Sequence, residues 1–207
     1  MVTGEEYSAA DIEVIEFDEH VRRTPVMYFD LPRDHPDLAT RVLSRVLAHA
    51  LHPATRLARD HTLRVFAEIH GDLAFTVTDD MPDALDDGTG RPRLGHYGAL
   101  LGPERWTSAA AAALGTRTVV EVWRDGHGVR QELAGIRPTA EPRSFDPPAG
   151  AGTRVAFALD PAYFAPGTAI TADLTGLDLH GPYCDEPPGP GGVTLRDLRD
   201  GREVRYR

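Results

Sequence analysis

The apolar pattern of this 207-residue chain changes period along its length, which limits the folds open to it. Leu38, Val42, Leu43, Val46, Leu47, Ala50, Ala54 and Leu57 recur at helical spacing behind Pro36, which sits near a first helical position. Pro53 lacks a backbone donor, so this helix is expected to end or kink near the preceding turn. Ser8, before Ala9-Ala10-Asp11, marks an earlier helix start that Pro25 ends. Beyond these helices the runs become strand-like. Leu63–Ile69 and Leu73–Thr78 flank His70-Gly71-Asp72 and read as a hairpin, as do Thr116–Arg124 and Gly128–Leu133 around Asp125-Gly126. Arg154–Leu159 reads as a strand and Val193–Arg207 as a terminal hairpin after a flexible break at 187–192. Between the hairpins, 79–102 reads as a loop, and Pro103–Leu114, with its five consecutive alanines, as a helix closed by Gly115. Residues 138–152 read as a polar turn region. This order predicts an α+β fold, with helices on one face of a mixed, mostly antiparallel sheet, in a single domain spanning 1–207.

Composition narrows the chemistry. All 22 basic residues are arginine, and asparagine is absent as well. Without a primary amine on a side chain there is no lysine Schiff base, no PLP linkage and no lysine-anchored phosphate loop. The net charge of −10 disfavours phosphate backbones, so no direct nucleic-acid partner is expected. Cys184 is the one cysteine, which excludes an internal disulfide and a cysteine-rich zinc site. No apolar run has the length of a membrane span, and the acidic start Met1–Glu6 does not read as a signal peptide. A cytoplasmic protein without a membrane partner is the expectation.

Specific residues go further than periodicity. Tyr7–Val14, followed by Glu19-His20-Val21-Arg22-Arg23-Thr24-Pro25-Val26-Met27-Tyr28, resembles the opening of the ATPase domain of the DNA gyrase B subunit, a type II topoisomerase domain of the GHKL (Bergerat) fold. The likeness continues in order through Phe75–Asp80, Glu121–Gly126 with Arg130-Gln131, Gly152–Phe157 and Val193–Glu203. It therefore covers nearly the whole chain and implies a GHKL-type two-layer sandwich. The N-terminal arm and first helix (1–30) would reach across a dimer in that family, so a monomer or an arm-mediated homodimer is expected.

The departures from the family pattern bear on function. Matching the family's catalytic helix to residues 44–55 puts Arg45 where a water-activating glutamate belongs and His49 where a magnesium-binding asparagine belongs. His52 and Pro53 fall where further acidic residues usually sit. With no asparagine anywhere, no shift of register restores that ligand. The family's glycine-rich phosphate lid is here Leu101-Gly102-Pro103-Glu104-Arg105-Trp106-Thr107-Ser108; Pro103 lacks a donor and Glu104 repels phosphate. The resemblance implies loss of Mg-ATP hydrolysis and no cofactor.

Other positions match. Asp79 corresponds to the family's adenine-reading aspartate and Thr153 to a threonine near the same ring. Arg130 corresponds to an arginine at the pocket rim that also holds aminocoumarin inhibitors. Arg45, His49, His52 and Arg56 share one helix face by spacing, a face that reads as plain solvated polarity unless it lines the pocket. Lining it, His49, Asp79 and Arg45 would be the acid/base set, with His52, Pro53, Met81, Arg130 and Thr153 as ligand contacts. A metal held by His49, His52 and Asp79 rests on spacing alone, and none is assigned.

Three functions stay open from sequence. The first is a repurposed pocket that binds an organic small molecule of specialised metabolism and catalyses a cofactor-free isomerisation, cyclisation or elimination. The second is a non-catalytic module that sequesters a gyrase-directed antibiotic or serves as an interaction domain. The third is a nucleotide binder that reads adenine without hydrolysis.

Overall fold

In a computed structural model the described residues are 14–51, 64–81, 93–177, 179 and 192–206. The expected Ser8 helix start, the Pro53 break, His52, Arg56 and nearly all of the 187–192 break lie outside them. The chain forms α1 (Phe17–Arg23), α2 (Val26–Phe29), α3 (Leu38–Leu51), β1 (Arg64–Gly71), β2 (Ala74–Asp79), α4 (Trp106–Ala113), β3 (Gly115–Arg124), β4 (His127–Ala134), β5 (Arg137–Pro138), β6 (Arg143–Phe145), β7 (Gly152–Leu159), β8 (Gly192–Asp197) and β9 (Arg202–Tyr206). The strands make one sheet in the order β5-β4-β3-β7-β2-β1-β8-β9, with β6 also on β4. The β1–β8 pair is parallel and the other pairs are antiparallel. The fold is α+β on a mixed, mostly antiparallel sheet, as the change of period predicts.

Register assigns the two faces of the sheet. Val65, Ala67 and Ile69 on β1 stand opposite Asp79, Val77 and Phe75 on β2, which stand opposite Thr153, Val155 and Phe157 on β7. The row continues to Val122, Val120 and Thr118 on β3, then to Val129, Gln131 and Leu133 on β4. Directly opposed residues share a face, so these side chains form one surface. Most of its apolar members belong to the buried core, with Phe75 stacked on Phe157 at 4.7 Å. Helix α3 packs on β1 and β2, and α4 on β3 and β7.

α3 is buried nearly all round. Only Arg41, Arg45 and His49 are less than fully covered, a single line at four-residue spacing. α4 lies close to the sheet because Ala109–Ala113 are small, and all five are buried.

Three expectations need correction. The helix placed over Pro103–Leu114 divides into a 3-10 turn, Pro103–Arg105, and α4 proper. Gly115 is no left-handed helix cap but the first residue of β3: an added Cβ would lie 2.9 Å from the Ala158 carbonyl oxygen and 3.2 Å from that of Ala112. Close approach of backbone, not a special φ, requires glycine there. Inside the turn region 138–152, Arg143–Phe145 pairs with β4 as a short edge strand. Among the described residues no helix is long and apolar enough to cross a membrane.

Candidate functional site

Asp79 ends β2 on the core side, where strand alternation places it after Phe75 and Val77. A carboxylate in that position needs partners, because burying a charge unpaired is costly. Arg105 supplies them as a two-point fork, Nη1 donating to Oδ2 at 2.7 Å and Nη2 to Oδ1 at 2.8 Å. The side chains are 1% and 8% exposed. Asp79 Oδ1 also accepts from the Met81 backbone N–H at 3.1 Å, and the Thr153 hydroxyl donates to the Met81 carbonyl at 2.7 Å. Asp79, Met81, Thr153 and Arg105 thus form one buried, hydrogen-bonded unit at the ends of β2 and β7.

The loop feeding Arg105 into this unit is anchored from the sheet. Gln131, buried on β4, accepts from the Leu100 backbone N–H at 2.6 Å and donates to the carbonyls of Gly98 and Ala140 at 3.2 Å each. Gly95 is required where the loop folds back, since a Cβ there would overlap the Leu101 carbonyl oxygen at 1.8 Å. Pro103 then sets the 3-10 turn that precedes α4.

His49 reaches the same neighbourhood from α3. Its ring meets Trp106 edge-on, with centroids 5.6 Å apart and an interplanar angle of 79°. Asp79 and His49 therefore contact consecutive residues, Arg105 and Trp106. Trp106 is 46% exposed, so the His49 edge of the group opens to solvent while the Asp79 end is closed.

The remaining expected site residues fall elsewhere. Arg45 turns to Asp30 just past α2, donating through Nε at 2.8 Å and also through Nη2. Asp30 has left-handed backbone geometry, φ 59°, which an aspartate tolerates. Arg130 follows Val129 on β4 and so points away from the face carrying Asp79 and Thr153. There it binds Glu121 at 2.9 Å, opposite Arg154, which binds the same carboxylate at 3.2 Å. The structure does not bring Arg45 or Arg130 into the Asp79 group. His52 and Pro53 are outside the described residues.

The sequence reading missed Arg105 and Gln131. In the sequence Arg105 stands only as one residue of the Leu101–Ser108 segment, since nothing local marks a partner 26 residues away. Gln131 breaks the outward-polar alternation of β4, and that break was a usable signal.

A polar hollow of about 480 Å³ lies beside α1, away from the Asp79 group, and includes Arg22, Arg33, Arg137 and Tyr163. Its charges are largely spent internally. Arg22 pairs with Asp160 at 2.6 Å and Arg137 with Asp18 at 2.9 Å, while Arg22 and Arg33 lie 4.8 and 4.6 Å from the Tyr163 ring centre. The Arg22 hydrogen bond holds the Asp160 carboxyl below the usual carboxylate range. Burial, with hydrogen bonds to Glu16 and Asp18, pushes the Tyr97 phenol up to about 12. Among the described residues no three His, Cys, Asp or Glu side chains converge as a metal set.

No family model matches the chain, and no curated protein matches it.

Proposed function

We propose that this chain is a gyrase B-like domain of the GHKL type that has given up Mg-ATP hydrolysis and binds an organic small molecule of specialised metabolism in the former nucleotide pocket, beside Asp79, His49 and Trp106. The observation that carries this reading is the buried fork between Arg105 and Asp79. Asp79 is the residue that the resemblance assigns to adenine, and its carboxylate is committed to a guanidinium from the segment that would otherwise wrap phosphate. A neutral nucleobase amine is a weaker partner than that charged fork. With Arg45 on Asp30, the position of the water-activating glutamate holds an engaged cation.

These commitments favour binding over acid/base chemistry by Asp79 and Arg45. Sequestration of a gyrase-directed antibiotic is the form of binding that fits a gyrase-derived scaffold. A second reading, cofactor-free proton transfer on the bound molecule, rests on His49 alone, whose imidazole stands against the half-exposed Trp106 ring.

Thermal-shift measurements on the wild-type chain test the proposal, with an aminocoumarin and a set of heterocyclic metabolites beside MgATP at matched concentrations. An organic compound raising Tm while MgATP does not is the expected result. A shift with MgATP and with no organic compound would contradict it. Recovery of the bound compound unchanged after long incubation removes the His49 reading.

A further inference from the structure

We propose that the Asp79 carboxylate is a binding site for planar two-point cations, guanidinium or amidinium groups, and that Arg105 is its tethered occupant. The inference rests on the proposed ligand pocket beside Asp79, and it adds the ligand's head group and a means of control, the displacement of Arg105. The geometry argues for the class. The two Asp79 oxygens accept one N–H each from Arg105 at 2.7 and 2.8 Å, the parallel fork that a point cation such as an ammonium does not reproduce. At 1% side-chain exposure the carboxylate has no water to fall back on, so whatever displaces Arg105 must present the same fork.

The tether sets the threshold. A side chain held beside its partner acts at an effective concentration on the order of millimolar or more. A ligand therefore needs contacts beyond its head group to win the site. Arg105 closes the 3-10 turn immediately before α4, and the next residue, Trp106, meets His49. Release of Arg105 thus acts on the turn that carries Trp106, whose ring is 46% exposed, so occupation of the Asp79 carboxylate is felt at the Trp106–His49 contact.

Chemical rescue of Arg105→Ala tests this in the full chain. The variant is expected to lose thermal stability and to regain at least half of the lost Tm with saturating methylguanidine or acetamidine. Methylammonium chloride and sodium chloride at equal ionic strength are expected to give clearly less, and the wild type no comparable gain. Equal Tm in methylguanidine and in sodium chloride overturns the proposal. If Arg105→Ala does not fold alone, the same comparison is read as refolding yield: a yield that rises with methylguanidine and not with salt supports the site, and equal yields overturn it. Asp79→Leu/Arg105→Met, which lacks the carboxylate, is expected to show no methylguanidine effect; an effect equal to that on Arg105→Ala also overturns it. Failure here leaves the wild-type ligand screen unaffected, so the two readings are separately refutable.

Discussion

Arg105 and Asp79 meet through two parallel hydrogen bonds with both side chains buried, joining the end of β2 to the turn that starts α4. Removing one member leaves the other as an uncompensated charge. Arg105→Ala or Asp79→Ala is therefore expected to cost about 3–5 kcal/mol, whereas Asp79→Leu/Arg105→Met is expected to lie much nearer the wild type. Urea unfolding of the two single variants and the double variant measures this. Additive losses would show that the pair is not coupled.

Gly152 sits where β7 passes closest to the site. A Cβ there would fall 2.6 Å from the Asp79 carbonyl oxygen and 2.7 Å from the Trp123 ring. Because the first of these is backbone, it cannot rotate aside. Gly152→Ala is expected to destabilise by roughly 1–3 kcal/mol, as overpacking does. A Tm equal to wild type would show that β2 and β7 separate more easily than their register implies.

Arg130 stands on the sheet face away from Asp79, against Glu121. About half exposed, it is expected to contribute less than about 1 kcal/mol, and Arg130→Ala should leave the affinity of any ligand bound beside Asp79 unchanged. Calorimetric titration with the compound identified by thermal shift checks this. A large affinity loss would place the ligand across the β4 edge.

Stability at low pH depends in part on Asp160. Its folded pKa lies below the ordinary 3.8, through the hydrogen bond from Arg22. A depressed carboxyl contributes stability that is complete above its unfolded value and lost as pH falls through its folded one. Unfolding free energy is expected to fall below about pH 4, and less steeply in Asp160→Asn. Identical slopes would remove Arg22–Asp160 from the acid transition.

At high pH the sign reverses for Tyr97. Its folded pKa of about 12 exceeds the ordinary 10, so the neutral phenol's contribution is complete below pH 10 and is lost as pH rises toward 12. The latest-titrating part of the phenolate absorbance is expected to vanish in Tyr97→Phe.

The fold class was legible because period-two runs and helical spacing are local properties. Gly115 and Arg130 show where that legibility stopped. Gly115 follows a helix and so imitates a cap, yet its reason is the Ala158 carbonyl across the sheet, a contact no local pattern encodes. Arg130 was placed by likeness to a family, but a one-residue step along β4 turns a side chain to the other face. The alternation of Val129 with Arg130 carried that information, and buried Gln131 masked it. Asp79, Met81 and Thr153 do lie together, as their positions on neighbouring strand ends allow. Arg105 was hidden because a lone arginine in a Pro- and Gly-containing segment carries no mark of where its guanidinium goes.

The most direct measurement of the account is phosphate release from MgATP by the purified wild-type chain, beside a heat-inactivated control. With Asp79 engaged by Arg105, and with Arg45 and His49 where the proposed gyrase B likeness would require a glutamate and an asparagine, turnover is expected to equal the control. Turnover above the control that Asp79→Asn abolishes would contradict the account.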